Sequence, residues 1–206
     1  MNLFDFIDEI YCLNLGRRTD RWQECIAEFN RIGINNKVIR YPAIEIPNVP
    51  AILLNQISML SLLTLAKKKK LKNFLFLEDD VKFIGDTLDI LSKSLEQIKE
   101  LNWKMLYLGA NLSRKLNRVS DNLFQLKGGL SSHAILFNST FFDECIDKLL
   151  KTQELYTDVL FRELQETNDC YVVYPLLATQ RRSFSDVENR EVDYTFIETY
   201  YKKYTE

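Results

Sequence analysis

Glycine and proline are scarce: six Gly and four Pro in 206 residues are about half of average usage or less, which excludes collagenous and linker-rich chains. Cysteine is sparse too. Cys12, Cys25, Cys145 and Cys170 stand singly in apolar stretches. No Cys-x-x-Cys pair is there to grip zinc or run thiol exchange, so all four read as reduced core residues. Charge of one sign is missing as well. Lys plus Arg at 27 against Asp plus Glu at 29 leaves −2, without the basic field that nonspecific DNA binders use to displace counterions, so no nucleic-acid partner is expected. The longest mostly apolar run, Val49 to Ala66, is interrupted by Asn55, Gln56 and hydroxyl residues and ends in Lys67 to Lys70. It falls short of the roughly 20 apolar residues of a membrane span. The N-terminus carries Asp5, Asp8 and Glu9 where a signal peptide needs a positive start and an unbroken apolar stretch. The expectation is an intracellular, soluble, cytoplasmic protein with at most peripheral contact at the inner membrane face.

What is present is apolar material. Hydrophobic residues at 46% and aromatics at 12% supply enough burial to offset ordering entropy, which excludes a disordered chain. No internal repeat or low-complexity linker interrupts the sequence. Residues 1–206 therefore read as one domain, with a first half at about 8–110 and a second at about 111–206.

Strand formers over Glu9 to Leu15 feed a helix that Asp20 and Gln23 are spaced to cap reciprocally. Trp22, Cys25, Ile26 and Phe29 share one helix face, and Gly33 supplies the left-handed closing residue. A second strand runs over Lys37 to Tyr41 and stops at Pro42. This β-α-β order predicts parallel strands. Leu53, Ile57, Leu60, Leu63 and Thr64 mark a helix ending at the four lysines. Phe74 to Leu77 is apolar on both faces, as a central strand requires. Leu88, Leu91, Leu95 and Ile98 then form a helix started by Asp86, followed by a strand at Met105 to Gly109. The second half is predicted as a polar stretch over Asn111 to Asp121, strands at Leu123 to Leu126 and Ala134 to Phe137, and helices at Thr140 to Leu150 and Thr157 to Glu166. A last strand follows at Cys170 to Tyr174, and then a terminal helix carrying Tyr194, Ile197, Tyr201 and Tyr204.

Chemistry-bearing residues gather at three places. Glu78-Asp79-Asp80 follows a buried strand directly, where ligands collect in open α/β sheets. Three adjacent acids repel one another, and a divalent cation would offset that repulsion. Strand alternation turns Glu78 and Asp80 to one side and Asp79 to the other. A solvated acidic turn is the plain alternative. Arg17, Arg18 and Arg21 surround the first strand-to-helix turn, where guanidinium groups and free helix-start amides make a diphosphate site; otherwise they are three exposed arginines. His133, the sole histidine, precedes an apolar strand and reads as a metal ligand or proton shuttle, or as a satisfied structural residue.

In order along the chain, Ile10-Tyr11-Cys12-Leu13-Asn14-Leu15 with Arg18, Asp20 and Arg21, then Phe76 to Val81, Tyr107-Leu108-Gly109, Ser132 to Leu136, Thr157 to Leu160, and Tyr174-Pro175-Leu176 through Gln180 to Ser185-Asp186-Val187 resemble family 25 glycosyltransferases. That family includes lipopolysaccharide (lipooligosaccharide) and collagen galactosyltransferases. The resemblance implies a GT-A fold, a Rossmann-like α/β arrangement with a mixed, mainly parallel sheet flanked by helices. It further implies a UDP-sugar donor, usually UDP-galactose, a glycan or other hydroxyl acceptor, and inversion at the anomeric carbon. By the resemblance, Asn14, Arg18 and Arg21 cradle the nucleotide. Glu78, Asp79 and Asp80 hold ribose and a manganese or magnesium ion, with Asp80 and Glu78 as metal ligands. His133 lines the donor site, Gln180 and Asp186 close or support it, and Asp158 is the general base; a helix cap is the alternative for Asp158, and loop caps for Gln180 and Asp186. One departure stands out: the family places a Ser-His pair on the helix before the acidic strand, and here Ser61 is followed by Leu62. A noncatalytic nucleotide-sugar or glycan binding module is the rival reading. A nucleotidyltransferase shares the sheet plan but would call for a Gly-rich phosphate loop with lysine near the N-terminus, which this sequence lacks.

Overall fold

A computed structural model of the chain describes residues 3–152 and 155–205; the readings placed on Met1 and Asn2 lie outside them. Helix α1 (Leu3–Phe6) precedes strand β1 (Glu9–Asn14), helix α2 (Thr19–Ile32), β2 (Val38–Pro42) and α3 (Ala51–Lys68). Then come β3 (Asn73–Glu78), β4 (Val81–Phe83), α4 (Thr87–Ile98) and β5 (Met105–Tyr107). The second half brings β6 (Asn117–Ser120), β7 (Leu123–Gln125), β8 (Ala134–Asn138), α5 (Phe142–Lys151) and α6 (Thr157–Thr167). It ends in β9 (Cys170–Val173), three short strands β10 (Ala178–Gln180), β11 (Ser183–Ser185) and β12 (Arg190–Val192), and α7 (Phe196–Thr205).

Eight strands form one sheet in the order β2-β1-β3-β8-β5-β9-β7-β6. β1 is parallel to β2 and β3, as the β-α-β reading requires, and β5 is parallel to β9. β8 runs against both β3 and β5, and β7 against both β9 and β6, so only those two strands are reversed and the rest share one direction. Because side chains alternate along a strand, each central strand feeds two cores. Tyr11, Phe74, Phe76, Tyr107, Ile135, Phe137 and Val172 pack under α3, α5, α6 and α7. Ile10, Cys12, Leu75, Leu77, Leu106, Leu136 and Val173 pack under α2 and α4. Each fully buried side chain of this size contributes about 1.5–3 kcal/mol, which is what fixes the register.

Several local expectations are corrected. Asp20 does not cap α2: the residue before the helix is Arg18, with no side-chain cap, and Asp20 in the first turn receives the Arg18 guanidinium instead. Gly33 closes the helix as expected at φ 79°. The polar stretch after Asn111 contains an edge strand, β6, whose exposed polar residues carried no apolar period. The strand at Cys170 is not the last, since β10 to β12 follow, each three residues long and too short for a pattern. Tyr194 lies outside α7.

Gly109 explains how the chain crosses back over the sheet edge. A Cβ there would lie 1.9 Å from the Ala178 carbonyl oxygen and 2.7 Å from Leu176 Cδ1. The close approach lets Leu108 O accept the N–H groups of Leu177 and Ala178 at 2.9 and 3.1 Å. Strand β10 then pairs with β4, Gln180 opposite Val81.

Candidate active site

The carboxyl ends of β1 and β3 open into a cavity of about 710 Å³, and the segment 43–58 from the end of β2 into α3, the loops before β8 and α6 and the segment after β10 complete its wall. Of the residues singled out in the sequence, Asn14, Arg21, Glu78, Asp79, Asp80, Asp158, Gln180 and Asp186 line it. Sites at this edge follow from the sheet plan, because the parallel strands end here and leave their loops free to carry polar groups.

The acidic triad is neither a solvated turn nor three equivalent acids. Asp79 and Asp80 are each 7% exposed. The Asp79 carboxylate accepts Asn14 Nδ2 and Arg21 Nη1, both at 2.5 Å, and Arg21 Nη2 reaches Asp80 at 3.2 Å. Arg21 thus supplies part of the offset that three adjacent acids need, and its guanidinium faces carboxylates and the Ser183 hydroxyl. Asn14 is oriented in turn by Arg40, which donates to its Oδ1. Burial pushes the Asp79 carboxyl up to about 6 even with Arg21 beside it. Glu78 accepts the Ser132 hydroxyl at 2.6 Å; burial, with Asp80 close by, pushes its carboxyl up to about 8.

Among the described residues, no three His, Cys, Asp or Glu side chains converge as a metal cage. What converges is three oxygens of two carboxylates: Glu78 Oε2 and both oxygens of Asp80 lie 3.4, 3.4 and 3.3 Å from Gln180 Nε2. This donor set fits a magnesium-like cation, which takes one or two carboxylates and completes its shell with phosphate and water oxygens.

The arginine turn meets the far end of the chain. Arg17 donates to Glu45 and Asp186, both at 2.6 Å, and Arg18 pairs with Asp186 as well as Asp20. Arg18 stands behind the wall and Arg17 in it. Burial alone would raise the Asp186 carboxyl, but hydrogen bonds from Arg17 and Arg18 hold it below the usual carboxylate range.

Asp158 is the second residue of α6, so the capping alternative does not hold; Tyr156 precedes the helix. Its Oδ2 accepts the backbone N–H of Ser131 at 3.0 Å, where Ser131 is in the left-handed region at φ 70°. Seven residues on, the same helix sends Gln165 to Gly129, whose N–H it accepts at 2.8 Å. Two side chains of one helix face thus pin the loop that forms the floor of the cavity. Asp158 Oδ1 takes no hydrogen bond from the described residues.

His133 is not in the cavity wall. It is fully buried, and its Nε2 donates to the Ala178 carbonyl oxygen at 3.0 Å. Burial pushes the imidazole down from its ordinary value, which suits a neutral ring holding β10 in place. Ser61 also faces away, toward the Tyr41 hydroxyl at 2.8 Å. Residues that sequence reasoning missed include Glu45, Arg40, Glu188 and Tyr194. The Tyr194 hydroxyl donates to Glu188 at 2.7 Å, and both line the cavity. Ser131 and Ser132, which also line the cavity, were given no role in the sequence, although they directly precede His133.

No protein-family model matches the chain, and no curated protein matches it by sequence. By structure it is similar to a glycosyltransferase involved in the glycosylation of the major capsid of PBCV-1, with TM-score 0.53 and 11% identity over 80% of each chain. It is also similar to A197 from STIV, with TM-score 0.51 and 14% identity over 89% of this chain and 91% of that one. UDP-glucose pyrophosphorylase complexed with UDP-glucose aligns with TM-score 0.51 and 9% identity, over 95% of this chain and 80% of that one. At these identities the likeness is one of fold, and it bears out the GT-A-type, Rossmann-like α/β plan. Among the described residues, no helix is long and apolar enough to cross a membrane.

Proposed function

We propose that this protein is an inverting glycosyltransferase of the family 25 kind, moving a sugar, galactose in the family's usual case, from a UDP-sugar to a hydroxyl of a glycan or other acceptor. The observation that carries the reading is convergence: the acidic triad, the arginine turn and the first turn of α6, distant in sequence, line one cavity at the carboxyl edge of the sheet.

The residues divide the work as follows. The donor diphosphate takes the place of the Asp186 carboxylate against Arg17 and Arg18, so a group already neutralised by one anion exchanges it for another. Arg21 stays with Asp79 and Asp80 and fixes their geometry; the nucleotide-cradling role goes to Asn14, Arg17 and Arg18. Glu78 and Asp80 would hold a manganese or magnesium ion, which when bound supplies charge stabilisation for the departing diphosphate. Asp158 takes the acceptor proton on Oδ1 while Oδ2 stays fixed by Ser131. Inversion follows when the acceptor hydroxyl attacks the face opposite the leaving diphosphate.

The test is a thermal-shift screen of UDP, GDP and CMP sugars with and without manganese, since a bound ligand stabilises by mass action, followed by donor hydrolysis and transfer. Stabilisation by UDP-sugars that manganese strengthens, together with turnover, supports the reading. Stabilisation without any hydrolysis or transfer favours the noncatalytic module. No stabilisation by any nucleotide sugar rejects both.

A further inference from the structure

The Gln180 carboxamide is the best-placed group in the cavity that the proposed chemistry leaves without a job. Its backbone position is over-determined. β10 pairs with β4, Arg181 N donates to Asp80 O at 2.7 Å, and His133 and Gly109 fix Ala178 two residues earlier. The side chain is 8% exposed and reaches between Glu78 and Asp80, with Nε2 at 3.3–3.4 Å from three of their oxygens. Those separations are long for a charge-assisted hydrogen bond, which closes to about 2.7–2.9 Å. Meanwhile Oε1 is buried and has no hydrogen-bond partner among the described residues. A buried carbonyl oxygen without a partner costs about 1–3 kcal/mol. The nitrogen, in turn, sits where three carboxyl oxygens point at once.

We infer that Gln180 is a ligand of the divalent cation: a half-turn of its carboxamide brings Oε1 to the Glu78 and Asp80 oxygens, and the three side chains together coordinate the metal. The half-turn is about the terminal sp³–sp² torsion, which is broad and roughly two-fold, so the two orientations differ little in torsional energy. In the metal-free protein Nε2 faces the carboxylates and moderates their repulsion. With the cation bound, the amide oxygen satisfies the metal, as carboxamide carbonyls do among oxygen ligands of hard cations. Oε1 then gains a partner while Nε2 turns to the place that Oε1 leaves, and Glu78 and Asp80 close on the ion. This rests on the glycosyltransferase reading only in placing a cation at Glu78 and Asp80.

The experiment measures Mn²⁺ affinity in the presence of UDP, by the loss of the free-ion electron paramagnetic resonance signal, for wild type, Gln180→Leu and Asp80→Asn. Gln180→Leu is expected to weaken Mn²⁺ about 10-fold or more, in the direction of Asp80→Asn. A second readout needs no variant fold: in the wild-type protein with UDP, saturating Mg²⁺ should shift the Gln180 side-chain carbonyl ¹³C resonance, and Mn²⁺ should broaden it away. If Asp80→Asn loses the metal while Gln180→Leu binds as wild type does, the ligand role of Gln180 is overturned and the cation at the carboxylate pair stands. An unmoved Gln180 carbonyl resonance at saturating Mg²⁺ also overturns it. If wild type binds no Mn²⁺ with UDP present, the inference and the metal reading fall together.

Discussion

The cavity has two unlike walls. One is the end of the parallel sheet, where Asn14 and Asp79 sit at the tips of six-residue strands β1 and β3 or just beyond, buried and cross-linked by Arg21 and Arg40. The other is the return segment from β10 to β12, three-residue strands whose members after Gln180 are half-buried or exposed, apart from Val192. β10 and Arg181 are tied to the first wall by backbone pairing; beyond Arg181 the attachment is by charged side chains, Asp186 on Arg17 and Arg18, with the Ser183 hydroxyl accepting from Arg21. Burial holds the first wall, and beyond Arg181 a few solvent-reached charges hold the second. A cavity with one wall of each kind keeps the groups of the first fixed while the other is held by exchangeable anions, which is what the proposed nucleotide site requires.

The comparison can be broken most severely at Asp79. Asp79→Ala leaves Arg21 buried with only the longer Asp80 contact as its ion pair, and is expected to destabilise the fold by about 3 kcal/mol, read by urea denaturation. A loss below 1 kcal/mol would mean that the first wall is not held by this pair. Asp158→Asn probes the floor between the walls. The proposed base role predicts a transfer rate lower by about 100-fold or more with donor affinity near wild type, in single-turnover transfer alongside UDP titration. Since Asn still accepts the Ser131 N–H, near-normal transfer would reduce Asp158 to a loop holder.

Arg18→Ala is a smaller test, on the side facing the return segment. It should weaken UDP binding about 10-fold at low salt and less at high salt, because the contact is charge-assisted and partly solvent-reached. Unaltered affinity removes Arg18 from the diphosphate site. Asp186→Asn sharpens the comparison most finely. It withdraws the anion that competes with the diphosphate, so UDP should bind a few-fold tighter, an effect of about 0.5–1 kcal/mol. The same pair predicts an acid effect. Because Arg17 and Arg18 hold the Asp186 carboxyl below its unfolded value, its contribution is present above the ordinary carboxylate range and fades as pH falls through the depressed folded value. Amide exchange over 183–192 should accelerate there first in wild type, and show no such pH step in Asp186→Asn.

The order of elements from β1 through β5, the short β4 apart, was readable because each rests on a local period: Trp22, Cys25 and Phe29 on one helix face, Phe74 to Leu77 apolar on both sides, Gly33 as a stop. The acidic triad and the arginine turn were readable for the same reason, as clusters within a few residues. Their partners were not. That Arg21 would meet Asp79 and Asp80, that Arg17 and Arg18 would meet Asp186 and that Gln180 would reach Asp80 are contacts across 58 to 169 residues, and nothing in the flanking pattern encodes them. His133 shows the limit from the other side: its neighbourhood in sequence looks like a site, yet it supports β10 from behind the wall. The sequence by itself determined the longer helices and the central strands and where charge is concentrated, because periodicity and adjacency act over a single turn or pleat. The tertiary structure alone decided which charges neutralise one another and which face the cavity, because that depends on where the β9-to-β10 return crosses the sheet edge, a path set by the close backbone approach at Gly109 and by the packing of both sheet faces.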